Sequence, residues 1–120
     1  MKKRPADQDP WMAAEDYGRT LKPGLGGNLL VKNVAASLAF AEQVLGATPT
    51  YADEDFAVLR ATGSEWMLHA DHTYLDNPMA GIIKGVDARG AGIELRLYGI
   101  DPDTAEQAAR DGGWTVLAGA

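Results

Sequence analysis

Both histidines of the chain lie within Leu68-His69-Ala70-Asp71-His72-Thr73-Tyr74, with Asp71 between them and Asp76 close behind. Two imidazoles and a carboxylate are the donor types that hold Zn²⁺ or Fe²⁺. On a strand, however, His69 and His72 point to opposite faces, so they converge only where the chain turns after Ala70. The plainer arrangement has His69 hydrogen-bonded within a sheet and His72 capping the loop that follows, and it is preferred to a metal site. As a ligand patch the segment is better suited, with His69, Asp71 and Tyr74 at the mouth of a cleft. A His–Asp pair also suits an oriented general base. Two further sets of polar side chains alternate with apolar ones. Asn28 opens the run NLLV, and Glu94, Arg96 and Tyr98 alternate with Ile93, Leu95 and Leu97 in GIELRLY. Period-two alternation is the mark of a strand with one buried face. If the apolar parity faces a helix, Asn28, Leu30 and Lys32 share the opposite side with Glu94, Arg96 and Tyr98. Polar groups converging in a concavity are the usual form of a ligand site.

These side chains need a frame, and the segment from Asn28 to Gly46 supplies its first piece. A short strand runs into Asn33, whose side chain can accept from the free N–H groups of a first helical turn. Val34, Leu38, Ala41 and Leu45 then fall on one helical stripe with Phe40 and Val44 beside it, while Glu42 and Gln43 face water. Gly46 sits where a helix ends in the left-handed conformation. Strands are expected at Thr48–Tyr51, Phe56–Ala61 and Trp66–Ala70, separated by the polar turn Asp53-Glu54-Asp55 and by Thr62-Gly63-Ser64. Upstream, residues 1–9 are charged and read as a mobile arm. Asp9-Pro10 is a cap followed by a first-turn proline and predicts a short helix through Trp11 to Glu15, stopped by Gly18. Trp11 and Tyr17 must find a surface to cover. Residues 72–91 form a long connection, of the length that marks a linker or a functional loop, with Ile82 and Ile83 as its expected anchors.

After that connection the opening pattern returns 66 residues later. Leu29 falls on Leu95, Val31 on Leu97, Ala39 on Ala105 and Gly46 on Gly112. Strand Gly92–Tyr98, helix Thr104–Asp111 behind Asp101-Pro102, and a strand from Trp114 to Leu117 are expected. Such order at a fixed period is what an internal duplication leaves. The second unit lacks room within 120 residues for its remaining strands.

Composition narrows the function classes. The apolar fraction is 46% and the charged fraction 23%, ordinary for one globular domain. A net charge of −6 argues against nucleic acid or an anionic membrane as partner. With no cysteine there is no disulfide, thiolate metal site or cysteine nucleophile. No apolar run reaches transmembrane length, and Met1-Lys2-Lys3-Arg4 is not followed by a hydrophobic stretch, so a cytoplasmic location is expected.

The segment VKNVAASLAFAEQVLGA, with ELRLYGIDPDTAEQAARDGG after it, resembles the vicinal oxygen chelate superfamily of glyoxalase I, bleomycin-resistance and fosfomycin-resistance proteins, and extradiol dioxygenases. Ala41 stands where an aromatic residue is more usual. The resemblance implies an α+β fold of tandem βαβββ modules, here with a truncated second module, whose curved mixed sheet makes a cleft. It divides the chain into an N-terminal arm with a short helix (1–23) and one domain (24–120), made of module one (24–71), a linker (72–91) and partial module two (92–120). The metal-dependent members use His or Gln on each module's first strand and Glu on later strands. Carried over by position, the first-strand sites fall on Gly26 and Gly92, which cannot ligate. A register error of two gives Asn28 and Glu94, of which only Glu94 is a plausible ligand. The expectation is therefore a homodimeric protein without cofactor that binds or sequesters a small organic molecule in a metal-free cleft. Asn28, His69, Asp71, Tyr74, Glu94, Arg96 and Tyr98 supply the contacts. The rival is a metal-dependent lyase, isomerase or dioxygenase using His69, His72 and Glu94. A third reading is a non-catalytic dimerising module.

Overall fold

In the computed structural model the described residues are 11–119. The charged start and the Asp9–Pro10 helix signal lie outside them. The elements in chain order are α1 (Ala14–Thr20), β1 (Gly27–Val31), α2 (Val34–Leu45), β2 (Thr48–Ala52), β3 (Phe56–Ala61), β4 (Ser64–Ala70), a 3₁₀ turn (Asp71–Tyr74), α3 (Met79–Ile83) and α4 (Pro102–Asp111). The strands make one mixed sheet of order β1-β4-β3-β2. β1 runs parallel to β4 with Leu29 opposite Leu68, and the other pairs are antiparallel. The result is an α+β domain built on a βαβββ unit.

α2 is capped as its sequence dictates. The Asn33 side chain accepts from the Ala36 N–H at 3.0 Å, and Gly46 takes the left-handed conformation at φ 64°. Val34 and Ala41 of α2 pack with Ala57, Leu59, Ala61, Leu68 and Ala70 from one face of the sheet, and Val31, Leu38, Leu45 and Trp66 border that core. The cross-strand pairs Phe56–His69, Val58–Met67 and Arg60–Glu65 therefore belong to the opposite face, together with Asn28 and Leu30 of β1. Two tight turns hold the antiparallel strands in register. Asp53 accepts from the N–H groups of Asp55 and Phe56, and Thr62 and Gly63 both have positive φ, 49° and 81°.

The second half departs from a repeated module. α4 forms where the second helix is expected, capped by Asp101 and started by Pro102. It lies against α2, and behind it Trp114 packs edge-on against Phe40 and donates to Gln43 at 3.1 Å. The expected strands Gly92–Tyr98 and Trp114–Leu117 are not formed. Alternation makes a strand possible but does not supply the neighbouring backbone that a strand must bond. Ile93 and Leu95 are instead 68% and 72% exposed. The repeat also fails in detail at its helix end. Gly112 has φ −81°, and the left-handed residue is Gly113 at 75°. Ile82 does not anchor the long connection, being 71% exposed. Ion pairs hold it, as described below.

Candidate functional site

Parallel pairing of β1 with β4 brings Asn28 and His69 together across 41 residues. Both point to the sheet face opposite α2. The 3₁₀ turn that follows β4 at once returns Tyr74 to the same place. Asn28 Nδ2 donates to the Tyr74 hydroxyl at 2.7 Å, and Asn28 Oδ1 lies 2.6 Å from His69 Nδ1. An amide whose nitrogen is engaged with Tyr74 presents only its oxygen to the imidazole, so Nδ1 carries the proton. Burial pushes the His69 pKa below the ordinary histidine value, which keeps the ring neutral at physiological pH. Nε2 is then an acceptor, and among the described residues it has no hydrogen-bond partner. The site thus offers an oriented, neutral imidazole able to accept a hydrogen bond or a proton.

Aromatic rings extend this centre along the sheet. Phe56 stacks on His69 with centroids 5.5 Å apart and planes 16° apart, and Tyr74 meets the imidazole edge-on. Tyr51 lies 5.1 Å from Phe56, and Trp11 stacks on Tyr51 at 5.1 Å and 14°. The arm bearing Trp11 crosses this face, where the Tyr17 hydroxyl donates to Glu65 at 2.7 Å. Burial, and then the bond to that carboxylate, raise the Tyr17 pKa. An open recess of about 220 Å³ lies between the arm and the sheet, bordered by Tyr17, Leu21, Gly26, Gly27, Asn28 and Glu65 among others.

The other expected site residues take separate partners. Asp71 receives a two-pronged contact from Arg89 at 2.5 and 2.7 Å, while Arg89 also donates to the Leu30 carbonyl at 3.4 Å. The Arg89 hydrogen bond holds the Asp71 carboxyl below the usual carboxylate range. With the Lys32–Asp87 ion pair, this clamps the long connection to the end of β1. Asp71 is therefore a clamp residue at the edge of the site. The chain does turn after Ala70, but His72 in that turn bonds Asp55 at 2.7 Å, so the two histidines serve different partners. Glu94 and Arg96 pair with each other in the exposed segment, and Tyr98 is 78% exposed. These three do not join Asn28, His69 and Tyr74.

The divalent-metal arrangement does not fit these residues. His72 bonds Asp55 and Glu94 pairs with Arg96, both apart from His69, and no group of three or more His, Cys, Asp or Glu side chains able to hold a metal ion occurs among the described residues. Arg89, Phe56 and Tyr51 were not singled out by sequence reasoning. Phe56 carried the one usable signal, since its parity on β3 matches that of the polar positions. Arg89 lies in a loop without periodicity, where spacing carries no information.

No family model matches the sequence, and no curated protein matches it. Solved structures do. A bleomycin resistance determinant encoded on the transposon Tn5 superposes with a TM-score of 0.50 at 17% identity, over 82% of this chain and 72% of that one. The βαβββ unit with its mixed four-stranded sheet resembles the vicinal oxygen chelate fold. A possible glyoxalase from Bacillus cereus (TM-score 0.45, 19% identity, 77% and 76% coverage) and a glyoxalase/bleomycin resistance protein/dioxygenase from Nocardioides (0.48, 15%, 88% and 72%) also match. No helix among the described residues is long and apolar enough to cross a membrane.

Proposed function

We propose that the protein binds a small organic molecule on the sheet face opposite α2, without a metal ion, and acts by sequestering it. The observation that carries this reading is the Asn28–His69–Tyr74 relay. It fixes a neutral imidazole with an unengaged Nε2 beside a row of aromatic rings and next to a recess bordered by Asn28. Few polar groups among apolar walls is the composition of small-molecule sites. The ligand presents a hydrogen-bond donor to Nε2 and a flat apolar part to the rings. The net charge of −6 favours a neutral or cationic ligand. The fold match makes bleomycin the first compound to try. Isothermal titration with bleomycin and a panel of neutral and cationic aromatic compounds tests the reading. His69→Ala should weaken the best binder about tenfold, the value of one hydrogen bond to a half-buried polar group. Equal affinity in wild type and variant would remove the relay from the function.

A second copy of the chain is proposed to cover the exposed Ile93–Leu95 row. That row has the alternation of β1, and β1 itself is an edge strand whose Leu29 is 39% exposed. Sedimentation at micromolar concentration should give a dimer that Ile93→Lys/Leu95→Lys converts to monomer. A wild-type monomer rejects the proposal.

A further inference from the structure

We propose that the segment 11–20 is a displaceable cover, in which the Trp11 indole occupies the place that a flat ring of the ligand takes when it binds. The inference rests on the binding face described above and adds how that face is closed. Trp11 lies nearly parallel to Tyr51 at 5.1 Å and 6.0 Å from Phe56, at the far end of the row that reaches His69. Tyr17 and Leu21 of the same arm wall the recess that Asn28 borders. A ligand that spans the recess and the rings therefore meets the arm in its way.

The arm is held in a manner that allows departure. α1 has seven residues, none buried, and no side-chain cap at its start. A helix of this length does not stand alone. The backbone hydrogen bonds that Tyr17 and Leu21 make, to Ala13 and Gly18, stay within the segment and its tether, and among the described residues no backbone hydrogen bond joins the arm to the sheet. Among the described residues its side-chain contacts with the sheet are the packing of the Trp11 rings on Tyr51 and Phe56 and the Tyr17–Glu65 hydrogen bond. Residues 21–26 tether it as an exposed stretch, with Leu25 fully exposed and Gly24 at φ 139°, a conformation open to glycine. The arm can leave without breaking the sheet. A cover of this kind lowers the apparent affinity by the fraction of molecules that are open.

The test uses the full chain and the neutral aromatic dye N-phenyl-1-naphthylamine, read by fluorescence, with tryptic cleavage after Arg19 as an independent measure of the arm. Trp11→Ala should bind the dye about tenfold more tightly than wild type and be cleaved about tenfold faster without dye, the scale of losing two aromatic contacts. Tyr17→Phe, which keeps the ring and loses the bond to Glu65, should fall between. Saturating dye should speed cleavage of the wild type at Arg19. Equal dye affinity and equal cleavage in wild type and Trp11→Ala overturn the cover. Weaker binding by Trp11→Ala overturns it too, because Trp11 is then part of the bound state. A failure of the binding reading looks different. It gives no dye binding by either protein, or a His69→Ala variant that binds as wild type does.

Discussion

Replacing Asn28 by aspartate should raise the His69 pKa and so oppose the loss of stability that acid causes through this histidine. In the wild type, burial lowers the folded-state pKa below the ordinary value near 6.5. The unfolded chain then binds the extra proton, so acidification through about pH 6.5 destabilises the fold. Aspartate keeps an oxygen 2.6 Å from Nδ1 but makes it a carboxylate. With charge centres about 4 Å apart, the attraction is about 1 kcal/mol in bulk water and about 4 kcal/mol near a protein surface. His69 is half-buried, so about 2 kcal/mol is a fair value, equivalent to a rise of about 1.5 in pKa. The rise opposes the lowering by burial. The attraction to the protonated ring is fully present at low pH and is lost as pH rises through the folded-state pKa. After discounting for the solvent-facing side of the ring, about 1 kcal/mol remains. Proton NMR of the imidazole in a His72→Gln background gives the pKa directly, and urea unfolding at pH 5.5 and 8 gives the coupled stability. An Asn28→Asp protein whose His69 titrates at or below the wild-type value would refute the geometry and the tautomer derived from it.

Three further outcomes follow from other parts of the molecule. Leu59 is fully buried in the α2 core, so Leu59→Ala should lower unfolding free energy by about 2–5 kcal/mol, seen as a lower urea midpoint with an unchanged slope. Thr62 is β-branched at φ 49°, so Thr62→Asn should raise stability by about 0.5–1 kcal/mol, measurable as a higher melting temperature. Arg89 holds the Asp71 pKa down, so the clamp contributes above the ordinary carboxylate pKa near 3.8 and is lost as pH falls below it; hydrogen exchange of residues 84–91 should accelerate in that acidic range, and Asp71→Asn should show the faster exchange already at neutral pH.

Much of the first half was legible from residue order alone. Asn33 and Gly46 bracket α2 because capping is a local property of side-chain chemistry and backbone freedom. The parity of β1 placed Asn28 on the face opposite the helix because alternation is enforced by the pleat. The second half was not legible in the same way. GIELRLY alternates as well as any strand here, yet Ile93 and Leu95 lie exposed, since pairing depends on what backbone is within reach. Only part of the site could be read for the same reason. His69 and Tyr74 enter the candidate site through residue type and proximity in sequence, and the structure places both beside Asn28. The Arg89 contact to Asp71 and the Trp11 stack on Tyr51 join distant, aperiodic segments, where neither spacing nor propensity constrains the partner.

The strand order β1-β4-β3-β2 bears on the kinetics of assembly. β2, β3 and β4 succeed one another through short turns and can zip with little loop closure. β1 comes first in the chain but pairs only with β4, and during synthesis it must wait until that last strand has emerged. The Asn28–His69 contact belongs to this final, non-local closure, the slow kind of step in chain folding. A partly folded chain with three zipped strands would therefore carry His69 without its orienting amide. On the proposed reading, binding competence returns only with the slowest refolding phase, which makes the candidate site a reporter of complete folding.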